Sequence, residues 1–143
     1  MNLIIDASVL IKFFVPEVLS DKAEQLLARV EDGSLTLFSP DLIYAEAGNT
    51  LWKKLRLKEL TRSEVAKIRD LIISIPLKIE ASISLFPIAV DIAIAYEVTV
   101  YDALYLSLAK IYETQMMTAD RKLFDLTAKT DLKKSVTWLG SYG

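Results

Sequence analysis

Four carboxylates carry the chemistry of this sequence: Asp6, Glu46, Asp102 and Asp120. Asp6 ends the apolar run Leu3-Ile4-Ile5, and Asp120 follows the apolar segment 115–118. Glu46 sits among Leu42, Ile43, Tyr44, Ala45 and Ala47, where a lone Glu more often faces a pocket than solvent. Asp102 stands three residues after Thr99, at the head of an apolar stretch. If the four meet, a cation or raised pKa values must relieve their repulsion. An all-oxygen donor set suits Mg²⁺ or Mn²⁺. Such an ion acidifies water and stabilises charge on a phosphoryl group, so phosphodiester hydrolysis needs no histidine.

Each acid also has a plainer use. Asp6 and Asp120 could cap the helices that follow them, Asp102 completes a capping-box pattern with Thr99, and Glu46 could be a solvated helical Glu. Two absences narrow the choice. The chain has no Cys and no His. Disulfides, thiolate nucleophiles, Cys-ligated zinc, histidine acid–base work and imidazole metal sites are all excluded. Catalysis here must run on carboxylates, hydroxyls, Lys, Tyr or a bound metal.

The elements that must position these acids follow from periodicity. Residues 3–5, 35–38, 77–79, 98–100, 115–118 and 135–139 read as strands or strand ends. Helices are expected over 7–14, 21–31, 61–75, 85–96, 100–112 and from 121. A further helix is expected from Ser39-Pro40 to about Leu57, with Ser39 as its cap and Pro40 at its first position. Thr61-Arg62-Ser63-Glu64 reads as a capping box, and Thr99 as the cap of the helix carrying Asp102. Strands alternating with helices predict a three-layer α/β/α domain with a central, mainly parallel sheet, formed by residues 1–143 as one unit. In such a sheet, side chains just past the carboxyl ends of the strands converge on one edge. Asp6 and Asp120 belong to that edge, and right-handed connections bring the helices of Glu46 and Asp102 to it.

The chain is 143 residues long, 52% apolar and 25% charged, enough for a sizeable core and unlike a disordered chain. No stretch reaches the apolar length of a membrane span. The first residues lack a basic leader pattern, so the expected location is cytoplasmic. The net charge of −2 gives no sign of a polyanionic partner. Neutralising four carboxylates with metal would turn that −2 into +2, however, and Lys53, Lys54, Arg56 and Lys58 are bunched after Glu46. These four could form a locally positive rim for a polyanion, or else are cations that suit a helix C-terminus.

Four segments together resemble the motifs of the PIN domain, most closely those of VapC toxins. They are Leu3-Ile4-Ile5-Asp6-Ala7-Ser8, Tyr44-Ala45-Glu46-Ala47-Gly48-Asn49, the run from Tyr101-Asp102-Ala103-Leu104-Tyr105 to Ala109, and Thr118-Ala119-Asp120. The resemblance spans the chain, in order and at family-like spacing. It implies a metal-dependent endoribonuclease, the toxin of a toxin–antitoxin pair. Asp6, Glu46, Asp102 and Asp120 would hold Mg²⁺ or Mn²⁺ and activate water. Ser8 and Thr118 match hydroxyl positions lining such sites, and Asn49 stands where it could orient Glu46. Asp125 is a possible fifth carboxylate, but a solvated helical Asp is the better reading. The resemblance further implies an RNA substrate, a homodimer and a small antitoxin whose C-terminal segment covers the groove. The apolar runs 72–75 and 88–94 are the surfaces expected to take part in assembly, unless both are simply core.

Other readings are a PIN scaffold that binds without turnover, a phospho-acceptor receiver module and a haloacid-type phosphatase. A receiver wants paired acids after the first strand and a Lys after the last; here Ala7 follows Asp6, and Gly140 follows Leu139. The phosphatase wants a second acid at position 8, which is Ser8.

Overall fold

The computed structural model describes residues 1–143. Its strands are β1 (Asn2–Ile5), β2 (Thr36–Pro40), β3 (Leu77–Glu80), β4 (Met116–Thr118) and β5 (Val136–Trp138). Its helices are α1 (Ala7–Lys12), α2 (Ser20–Glu31), α3 (Leu42–Arg56), α4 (Arg62–Ser74), α5 (Ser82–Tyr96), α6 (Val100–Ile111) and α7 (Arg121–Ala128). The five strands form one sheet in the order β3-β2-β1-β4-β5, and every pairing is parallel. After the exposed Asn2 the central strand is apolar because both its faces are covered; Leu3, Ile4 and Ile5 are fully buried.

From β1 the chain steps outward through β2 to β3, then returns to lay β4 and β5 on the other side of β1. Right-handed crossovers therefore put α1–α4 on one face and α5–α7 on the other. The packing agrees: α1 contacts α2 and α3, α3 contacts α4, and α6 lies on β1, β2 and β4. The expected three-layer α/β arrangement is present. Strand order reverses between β1 and β4, and the crevice beyond their carboxyl ends is where such a sheet binds ligands. The order also differs from the 2-1-3-4-5 of receiver folds.

Several local expectations give way to tertiary contacts. Ser39 and Pro40 do not open α3; they end β2. Ser39 is buried and donates its hydroxyl to the carbonyl oxygen of Ile5 at 3.0 Å, tying β2 to β1. Helix α3 begins at Leu42, and the Asp41 side chain accepts from the backbone N–H and hydroxyl of Ser82 instead of capping its own helix. That borrowed cap starts α5 at Ser82, three residues before the expected position, with Pro87 inside its second turn. Residues 98–100 form no strand, since α5 bends by 113° directly into α6. The Thr61–Glu64 capping box is present in both directions, at 3.0 and 3.1 Å. The one at Thr99 is only half made: its hydroxyl accepts from the Asp102 backbone N–H at 3.1 Å, without the reciprocal bond. No single helix is long and apolar enough to cross a membrane.

Candidate active site

Asp6 leaves β1 in extended conformation and caps α1, with Oδ1 accepting from the Val9 N–H at 3.2 Å. The same oxygen accepts from the Ser8 hydroxyl at 2.5 Å, and Oδ2 accepts from the Thr118 hydroxyl at 2.5 Å. Both hydroxyls act twice. Ser8 also accepts from the Ala119 N–H at 2.9 Å, and Thr118 from the Asp120 N–H at 3.0 Å. Ser8 and Thr118 thus bolt the end of β1 to the end of β4, at the point where the strand order reverses. The caps expected of Asp6 and Asp120 exist, and they do not exclude a role in the cleft: Asp120 caps α7 through Oδ1, accepting from Leu123 at 3.2 Å, and Oδ2 has no partner within the protein.

Glu46 and Asp102 come from opposite layers. Glu46 points from the second turn of α3, and its Oε1 accepts from the hydroxyl of Tyr105 on α6 at 2.5 Å. Tyr105 is among the largest fully buried side chains. Burial and the bond to Glu46 push its phenol well above the ordinary range, so it stays a donor. Asp102 stands three residues before Tyr105, on the same side of α6. With Asp6, Asp120, Ser8 and Asn49, these residues line one cleft of about 460 Å³.

The carboxylates feel one another. Burial raises the Asp6 carboxyl to about 6, against the pull of Ser8, Thr118 and Val9 and with help from the Glu46 charge. Burial also raises Asp102; the Thr99 hydroxyl opposes this, and the charges of Asp120 and Glu46 reinforce it. Four oxygen-donor side chains in mutual repulsion fit a hard divalent cation. No three of them close into a preformed cage.

This geometry can be set beside known proteins. The PIN domain family matches residues 3–129, nearly the whole length of the fold described above. The chain belongs to the PIN domain family. Ribonuclease VapC3 of Pyrobaculum aerophilum is 31% identical over 125 residues, covering 86% of this chain and 92% of that protein. The crystal structure of PAE2754 from the same organism superposes with a TM-score of 0.71 at 23% identity, covering 99% of this chain and 85% of that one. A chain of a toxin–antitoxin complex from Klebsiella pneumoniae superposes with a TM-score of 0.60 at 18% identity, covering 94% and 95%.

Other residues singled out by the sequence fare differently in this PIN domain. Thr118 is fully buried behind Asp6, while Asn49 faces the cleft with no hydrogen bond. Lys53 and Lys54 line the cleft, but Arg56 lies over the Trp52 ring at 4.8 Å and Lys58 sits in a left-handed turn, both away from it. Asp125 is exposed, outside the cleft, and paired with Arg121 at 3.1 Å. Several lining residues were not expected, among them Tyr105, Lys12 and Glu17. Tyr105 was findable, being one helical turn from Asp102. Lys12 and Glu17 carried no signal, since their meeting depends on the turn around Pro16.

Proposed function

We propose that this PIN domain is a divalent-metal-dependent endoribonuclease and the toxin of a toxin–antitoxin pair. The observation that carries this is the convergence of Asp6, Glu46, Asp102 and Asp120 on one cleft at the switch point between β1 and β4. Ribonuclease VapC3, at 31% identity, supports RNA as the substrate. The likeness to a toxin–antitoxin complex supports a small antitoxin partner. In this reading the protein works in the cytoplasm.

Asp6, Glu46, Asp102 and Asp120 would hold Mg²⁺ or Mn²⁺. When bound, the ion supplies Lewis acidity toward a phosphodiester and lowers the pKa of water. Ser8 and Thr118 fix the Asp6 carboxylate so that neither oxygen rotates away, and Tyr105 does the same for Glu46 Oε1. The unpartnered Oδ2 of Asp120 and the Asp102 carboxylate remain available to the ion. With no histidine in the chain, these carboxylates are the groups able to accept a proton from water near neutrality.

We further propose a homodimer. Of the two apolar runs, Ile72, Ile75, Ala89 and Ile92 belong to the core, whereas Ile73 and Ile94 are exposed. Ile83 and Phe86 on α5 are exposed as well. These leave apolar surface for a second subunit and for an antitoxin.

The test is cleavage of RNA by purified protein with Mn²⁺ or Mg²⁺ and with EDTA. Cleavage that needs the ion and disappears in Asp6→Asn and Asp120→Asn, with the fold retained, supports the proposal. Cleavage that survives either substitution removes that residue from the mechanism. No cleavage of any RNA with either metal refutes the enzyme reading.

A further inference from the structure

The cleft has a second pole. Lys12, at the end of α1, donates to Glu17 Oε1 at 3.0 Å, and Lys54, near the end of α3, donates to Glu17 Oε2 at 2.9 Å. All three line the same cleft as the four acids. One carboxylate holding two ammonium groups through separate oxygens has the pattern of a phosphodiester, which also offers two terminal oxygens. The lysine side chains are only 13% and 17% exposed, so their stems are packed and their heads are held in place. Lys54 also reaches Glu59 at 3.5 Å, a longer and more exposed pair. An ammonium has three donors, so Lys12 keeps two and Lys54 at least one free for another acceptor.

The geometry points to a phosphate-binding subsite. We propose that Lys12 and Lys54, spaced by Glu17, take a phosphate of the RNA strand next to the one cleaved. This rests on the nuclease reading. Along α1, Lys12 lies roughly 9 Å from Asp6, and along α3, Lys54 lies roughly 12 Å from Glu46. The acids and the lysines therefore occupy opposite ends of the groove between two packed helices, and a strand lying in it meets both. Lys12 and Lys54 set two positive charges against the single charge of Glu17, so this end of the cleft is less negative than the end that carries the four acids. Glu17 bridges the two ammonium groups and competes with the incoming phosphate.

The test compares wild type, Glu17→Gln and the triple variant K12M/E17Q/K54M. Methionine keeps the packed stems, and glutamine in the triple variant avoids an unpaired carboxylate. Binding of a fluorescein-labelled single-stranded RNA is read by anisotropy in millimolar Ca²⁺ over a range of salt, and turnover is read with Mn²⁺. The triple variant is expected to bind about tenfold more weakly, with a salt slope shallower by about 0.7, the value for one phosphate of a single strand. Glu17→Gln is expected to bind several-fold more tightly. Wild-type affinity and salt slope in the triple variant overturn the subsite, and so does unchanged or weaker binding by Glu17→Gln. RNA binding that follows the expected order without turnover refutes the nuclease reading alone. Turnover with unaltered affinities refutes the subsite alone, and absence of both binding and turnover refutes both.

Discussion

Replacing Asp6 by Asn isolates the electrostatic cost of the carboxylate pocket. Asp6 is 7% exposed, and burial raises its carboxyl from 3.8 to about 6. The folded state therefore holds the proton more tightly than the unfolded chain does. Below pH 4 the group is protonated in both states and costs nothing. As pH rises from about 4 to about 6, the unfolded chain releases the proton first and stability falls; above that the loss is constant. At 1.36 kcal/mol per tenfold change in proton affinity, the loss is about 3 kcal/mol. Asparagine does not titrate, and the Ser8 and Thr118 hydroxyls can turn to meet its amide. The stability of Asp6→Asn relative to wild type should thus rise by about 3 kcal/mol between pH 4 and pH 7, or roughly 6–12 °C in melting temperature. The assay is urea unfolding of both proteins in EDTA at intervals across that range. Divalent ion added at pH 7 to a hundred times its Kd should return about 2.7 kcal/mol to wild type and less to the variant. Parallel stability curves for the two proteins from pH 4 to pH 7 would refute the buried, strained carboxylate.

Glu46→Gln removes a charge that raises both Asp6 and Asp102, so in EDTA at neutral pH it should melt above wild type while losing RNA cleavage by orders of magnitude; melting below wild type contradicts the repulsion. Tyr105→Phe frees Glu46 without touching the acids and should weaken metal affinity or activity by about 10–100-fold, read from the Mn²⁺ dependence of cleavage; an unchanged dependence would leave Tyr105 as core packing only. Thr118→Val should cost about 1.5–3 kcal/mol at pH 7, where its hydroxyl bonds an ionised Asp6, and less at pH 4, where Asp6 is protonated; an equal cost at both values refutes the charged bond. Light scattering at tens of micromolar should give the mass of two chains, and a monomer across that range rejects the homodimer.

The four acids, the parallel sheet and most helix caps were legible in the sequence because they rest on local rules. A strand followed by Asp, a Thr three residues before Glu64 or Asp102, and an apolar run bounded by Gly or Pro all act within one turn of backbone. Strand-to-helix alternation then sets which edge the acids share. The same local reading misplaced Ser39 and Pro40. Ser39 looks like a helix cap, but its hydroxyl is spent on Ile5 in the neighbouring strand. Asp41 caps a helix that begins 41 residues later.

Only the tertiary structure decided which polar groups meet across layers. Tyr105 reaches Glu46 from the opposite layer, Ser8 and Thr118 join strands 110 residues apart, and Glu17 finds Lys54 across 37 residues. None of these pairs has a spacing that sequence could flag, because a short polar side chain has several acceptors within reach and the packing of α1, α3 and α6 selects one. The residue types that can do chemistry are fixed by composition and local pattern. Their charge states and orientations are fixed by burial and by distant donors, which exist only once the core has closed.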